Sequence, residues 1–167
     1  MTEFFADIWH FLSDSTIGQI ISTFFVSMVP VIELRGAIPW ATGVGLSPWV
    51  AIPVAMVGNL VPIPFIILFI KKIFAWMRKQ SKWLNKVVDK MEAKAEKNKA
   101  KVLRYAFWGL VIFVAIPLPG TGAWTGALVA AMLDMPLKKA FPSVVLGVLI
   151  AGIVVAFVSY GAAAIFF

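Results

Sequence analysis

Between Asp14 and Lys71 the chain carries only two charges, Glu33 and Arg35, and both lie inside Pro30-Val-Ile-Glu-Leu-Arg-Gly-Ala-Ile-Pro39. The thirty-five residues from Gly36 to Ile70 are uncharged, too many for one straight helix across a bilayer core of about 30 Å. Pro39, Gly43, Gly45 and Pro48 divide them into a short piece near 37–46 and a long one over 49–70. The twenty-two residues of the long piece suffice to cross, at about 1.5 Å each. An ionised group left in hydrocarbon is costly unless it is paired, wetted or bound to a ligand. The Glu-x-Arg pair is therefore a functional-site candidate by default.

The rest of the chain repeats this alternation. Ser15 to Ile32 is uncharged for eighteen residues, a short span ended by Pro30 and Glu33. Tyr105 to Leu133 is uncharged for twenty-nine, cut by Pro117, Pro119, Gly120 and Gly122, and Ala140 to Phe167 for twenty-eight. With 61% hydrophobic residues and a mean hydropathy of +0.93, the 167-residue chain reads as a single membrane domain. The first fourteen residues hold Glu3, Asp7 and Asp14 but no Lys or Arg, unlike a cleavable signal. Glu3, Asp7, His10 and Asp14 share one helical face, which predicts a short interfacial helix over 1–14 with His10 on its polar side. With no cysteine, disulfides and thiolate chemistry are excluded, and with His10 the one histidine, a histidine metal site or a catalytic triad is not expected. No nucleophile–base pair is visible, so the chain is not expected to be an enzyme or to need a cofactor.

The net charge of +7 does not point to nucleic acid, because twelve of the fifteen basic residues lie between Lys71 and Arg104. That block marks the cytoplasmic side. Within 71–104, Ile73, Met77, Leu84, Val87, Val88, Met91 and Ala95 form an apolar stripe at helical spacing. Lys82, Lys86, Lys90 and Lys94 run up the other face. Like charges four apart disfavour an isolated helix by a few tenths of a kcal/mol, which favours a counter-surface of anionic headgroups. A solvated connector that only fixes topology fits the same residues.

Ala51-Ile-Pro-Val-Ala-Met-Val-Gly-Asn-Leu60 and Ala140-Phe-Pro-Ser-Val-Val-Leu-Gly-Val-Leu149 share Ala, Pro, Gly and Leu at an offset of 89. The order of short arm, Pro/Gly break, short return and long span also recurs. A straight crossing over 105–133 would put Lys138 and Lys139 opposite the basic block, against the usual bias; a hairpin removes the conflict. Each arm has about thirteen residues, roughly 20 Å of helix, so the hairpin would turn inside the membrane. By the same count Ser15 to Ser47 is a hairpin entering from outside. The expected fold is therefore all-α, with two inverted repeats over 15–70 and 105–167. Each is a re-entrant helical hairpin followed by a transmembrane helix, with amphipathic helices at the N-terminus and over 71–104.

Glu33-Leu-Arg-Gly-Ala-Ile-Pro39, Pro117-Leu-Pro-Gly-Thr-Gly-Ala-Trp-Thr-Gly126 and the total length resemble the putative small multidrug export protein family, over essentially the whole chain. That family is regarded as a distant relative of the DedA/VTT membrane proteins, whose fold has two inverted re-entrant hairpins, each followed by a transmembrane helix. The resemblance implies a prokaryotic plasma-membrane protein. By name it implies drug efflux, and by the distant relatives it implies flipping of polyprenyl phosphates and proton-dependent membrane homeostasis. The second break departs from the DedA pattern in having no intramembrane arginine.

A helix that starts inside the membrane presents free N–H groups and a positive dipole end, which attract an anion. Gly120, Thr121, Gly122 and Thr125 are candidate donors, and Arg35 can fork onto phosphate oxygens. Glu33 would be the proton-coupled member; Gly36, Pro39 and Pro119 complete the candidate set. The alternative is a structural Glu33–Arg35 pair, with glycines that let helices pack closely. The first functional expectation is translocation of a polyprenyl phosphate or related anionic amphiphile through a midplane site between the hairpins. The second is export of lipophilic cations with Glu33 as counter-ion, and the third a non-transport scaffold. Membrane lipids and an amphiphilic substrate are the expected partners, and a homo-oligomer is compatible with the sequence.

Overall fold

A computed structural model describes residues 10–103, 107–118 and 120–166. Among them the chain forms helices α1 (Thr16–Met28), α2 (Glu33–Gly43), α3 (Pro48–Leu60), α4 (Ile63–Gln80), α5 (Lys82–Leu103), α6 (Phe107–Ala115), α7 (Ala123–Met132) and α8 (Leu137–Phe166), with no strand. Residues 10–14 are also helical, the His10 ring meeting Asp14 Oδ2 at 3.0 Å; the rest of the expected interfacial helix over 1–14 lies outside the described residues. The fold divides into two compact units, one comprising the chain up to Val61 together with the part from Leu149 onward, the other Pro62–Val148.

In the first unit α1 begins where the Ser15 hydroxyl accepts the Gly18 N–H at 3.2 Å, and ends at Val29, held extended because Pro30 follows. The chain reverses over 29–32, and α2 returns antiparallel to α1. Gln19 Nε2 donates to the Val44 carbonyl at 2.8 Å and Trp40 Nε1 to Ser22 Oγ at 3.0 Å. α2 stops in a Schellman turn: Leu46 N–H bonds Ala41 O at 2.9 Å and Gly45 N–H bonds Thr42 O at 3.1 Å, with Gly45 at φ +78°. Pro48 then opens α3, which runs alongside α1. A Cβ on Gly58 would overlap Ser27 Oγ, and one on Gly152 of α8 would overlap Met56 Cε, so the small residues set these approaches. Lower down, the Tyr160 hydroxyl of α8 donates to Leu46 O at 2.8 Å.

In the second unit α6 and α7 are short helices of nine and ten residues on either side of a break at 116–122. α7 ends in the same turn as α2, with Met135 N–H on Ala130 O and Asp134 N–H on Ala131 O, each 89 residues after its counterpart. Asp134 takes the left-handed position at φ +53°, where Gly45 stands in the first unit. The glycine approach recurs too: a Cβ on Gly147 would lie 2.6 Å from Val114 Cβ and 2.9 Å from Val111 O. α5 lies against α4, α6 and α7, with Val88 fully buried and Lys82, Lys86 and Lys90 exposed; the Lys94 side chain lies outside the description.

The structure moves one boundary. The amphipathic helix expected from residue 71 begins at Lys82, and 71–80 is the end of α4, which extends the span expected over 49–70 to Gln80. Ser81 makes the break, its hydroxyl accepting the N–H groups of Trp83 at 3.1 Å and Leu84 at 3.4 Å. Arg78 clamps the two helices by bonding Asp89 at 2.8 Å and Glu92 at 2.7 Å. Ser81→Ala should remove the cap at about 1 kcal/mol, lowering the Tm of detergent-solubilised protein by roughly 2–4 °C.

Candidate functional site

The Pro30–Pro39 segment forms the tip between α1 and α2 and the start of α2. Val31 and Glu33 both have positive φ, +77° and +51°. For a β-branched residue such as Val31 this is a strained backbone, and such strain persists only where the surroundings over-determine it. Glu33 occupies the first turn of α2, where the helix dipole favours its negative charge, and is 4% exposed. Arg35 is half-buried and lies close enough for the Glu33 charge to act on it. Gly36 is half-buried against Ile32, while Pro39 is exposed and faces a pocket of about 560 Å³ shared with Ser13, Asp14, Trp40, Gly43 and Val44. These four candidates share one eleven-residue helix.

The other candidates share the second break. Gly120 and Gly122 have φ +89° and +122°, and Gly122, with ψ −177°, takes a conformation essentially confined to glycine immediately before α7. The Thr121 hydroxyl donates to Ile116 O at 2.7 Å and is 2.8 Å from Leu118 O, closing the loop on itself. Thr125 is buried in the first turn of α7, and Pro119 lies outside the described residues. The structure thus gathers Glu33, Arg35, Gly36 and Pro39 in the first unit and Gly120, Thr121, Gly122 and Thr125 in the second.

Sequence reasoning passes over three buried polar residues beside the first tip: Thr23 and Ser27 on α1 and Asn59 on α3. Their positions follow from the register of the three helices. Ile20 packs at the level of Ala41 and Ala51. Two turns up each helix, about 11 Å, are Ser27 on α1, Glu33 on α2 and Asn59 on α3. The Gly58–Ser27 contact fixes the same level, and Thr23 lies one turn below. The Ser27 hydroxyl donates to Phe24 O at 2.7 Å. The signal for Asn59 was present in the repeat, where it stands opposite the apolar Val148. Trp40→Phe should weaken this bundle by about 1 kcal/mol, because it removes the bond to Ser22 without changing the shape of the packing much; a Tm measurement checks it.

Two helices are long and apolar enough to cross a membrane, Pro48–Gln80 and Leu137–Ala162. Residues 33–154 match the family described as "Putative small multi-drug export protein". The chain belongs to this family. The match begins at Glu33, just after the first break, and takes in Arg35, Asn59 and the second break, and the family together with the two apolar helices makes this a membrane protein of the export class. No curated protein and no solved structure shows a significant match.

Proposed function

We propose that the protein translocates an anionic amphiphile, of the prenyl- or acyl-phosphate kind, with the α1–α2 tip as its headgroup site. The observation that carries this reading is Glu33 and Arg35 on a strained helix start in apolar surroundings. Arg35 forks onto phosphate oxygens, the N-terminal end of α2 adds a favourable dipole, and Glu33 answers to occupancy because its charge is felt at Arg35. An apolar groove of about 420 Å³ between α1 and α3, lined by Ile20, Ile21, Phe24, Phe25, Pro53, Val54 and Val57, suits the hydrocarbon tail.

In this reading the segments 15–70 and 105–167 are inverted repeats, each a re-entrant hairpin followed by a spanning helix. The shared Schellman turns and glycine approaches at matching offsets support it. The lysines of α5 rest on anionic headgroups at the cytoplasmic face.

The family description favours a second reading, export of a lipophilic cation held by Glu33. Binding of a fluorescent prenyl phosphate and of tetraphenylphosphonium to protein in nanodiscs separates the two. Arg35→Gln should weaken prenyl phosphate binding by about 30-fold, the loss expected for one charge-assisted contact. If Arg35→Gln binds the phosphate as well as the parent, while Glu33→Gln loses tetraphenylphosphonium, the cation exporter replaces the proposal.

A further inference from the structure

The pocket of about 560 Å³ at the C-terminal end of α2 has Ser13, Asp14, Pro39, Trp40, Gly43 and Val44 for walls, and one carboxylate among them. Pro39 and Gly43 stand four residues apart, as do Trp40 and Val44, so α2 presents them as neighbours. Both sides are tied to α1. Trp40 Nε1 donates to Ser22 Oγ at 3.0 Å, which fixes the ring, and Gln19 Nε2 joins Ser13 O at 2.6 Å to Val44 O at 2.8 Å. Gly43 leaves the space open: a Cβ there would meet nothing within 4 Å. The second unit makes the same turn 89 residues later with Met132 at this position, so the turn itself does not call for a glycine.

Asp14 supplies the charge. The His10 ring at 3.0 Å and the Ser13 hydroxyl at 2.8 Å stabilise the ionised carboxylate and hold its carboxyl below the ordinary range. With a carboxylate as partner the His10 nitrogen is the donor, and a neutral imidazole makes that bond without balancing the charge. Arg35 is the first Lys or Arg in the sequence, and it stands eight residues from Gly43, about 12 Å along α2.

We infer that this pocket binds an organic ammonium group, with Asp14 as its counter-ion, the Trp40 ring against its carbon-bound face and Pro39 and Val44 against the chain beyond. A carboxylate beside a fixed indole suits a large, weakly hydrated cation: the ring face attracts it, and its desolvation costs less than that of a metal ion. The same carboxylate repels an anion. The pocket lies at the opposite end of α2 from the proposed headgroup site, and neither reading rests on the other. The headgroup of an aminophospholipid and a soluble amine or quaternary ammonium share this chemistry.

The test is calorimetric titration of benzyltrimethylammonium into purified protein in a maltoside detergent at pH 8, where an ordinary imidazole is neutral. The parent should bind, and Asp14→Asn should weaken binding at least about tenfold, as the loss of a charged contact does. Gly43→Met, which brings in the side chain of the matching turn, should abolish binding while keeping or raising Tm, because it fills open space and removes a helical glycine. A parent that does not take up the probe overturns the site, as does either variant binding it with parental affinity. Binding lost in Glu33→Gln but kept in Asp14→Asn would overturn it too, by placing the cation at the α1–α2 tip. Nanodiscs of phosphatidylglycerol with and without phosphatidylethanolamine distinguish the sources. Weaker probe binding in the mixture supports the site as one for a lipid headgroup, and equal binding supports it as one for a soluble ammonium.

Discussion

Glu33→Gln and Arg35→Gln should each destabilise the protein, while the double variant Glu33→Gln/Arg35→Gln should recover most of the loss. Glu33 is buried and its charge acts on Arg35, so neutralising one leaves the other uncompensated in apolar surroundings. For a buried partner that costs on the order of 3 kcal/mol, whereas removing both charges together is close to neutral. The Glu33→Gln penalty should be the smaller of the two, because the stranded Arg35 is only half-buried and partly screened by solvent. Denaturant unfolding in detergent measures all three. Additive losses would mean that the two charges do not act as a unit.

The second large effect falls on the glycine approaches. Gly147→Val places a branched side chain where even a Cβ lies 2.6 Å from Val114 Cβ and 2.9 Å from a backbone carbonyl. Val114 is itself 1% exposed, so it has nowhere to go, and the carbonyl moves only with α6. Overpacking of this kind costs about 1–3 kcal/mol where side chains can yield, and more where backbone must shift. Gly58→Val should behave alike against Ser27 and the Phe24 carbonyl. Gly161→Val is the control, since nothing lies within 4 Å of its Cβ position. The expected readout is loss of monodisperse protein for the first two variants and none for the third.

How much of this is legible in the sequence depends on what hydropathy can register. The breaks at Pro30–Glu33 and Pro117–Gly122 are visible because proline and glycine interrupt uncharged runs, and the structure ends and begins helices there. The join at Ser81 is not visible. The stripe Ile73, Met77, Leu84 continues through it at helical spacing, and periodicity does not sense a chain that changes direction. Glu33 and Arg35 stand out as charges, but their burial and the strained φ values beside them do not follow from composition. Asn59 and Thr23 are hidden for a different reason: one uncharged polar residue among apolar neighbours barely alters a hydropathy window. Only the comparison of Asn59 with Val148, once the glycine contacts align the two segments, marks Asn59 out. The Thr121 hydroxyl illustrates the converse. Sequence offers it as a donor to a ligand, whereas the structure also uses it to close its own loop through Ile116 and Leu118.

In the proposed function, translocation depends on the charges at the α1–α2 tip and not merely on the fold they sit in. The double variant Glu33→Gln/Arg35→Gln isolates that claim, because it is expected to remain folded. Its rate of translocating a fluorescent prenyl phosphate in proteoliposomes, beside that of the parent, is the most direct test. The expected rate is indistinguishable from that of protein-free liposomes, at a Tm close to the parental one. A folded double variant that translocates at the parental rate would contradict it.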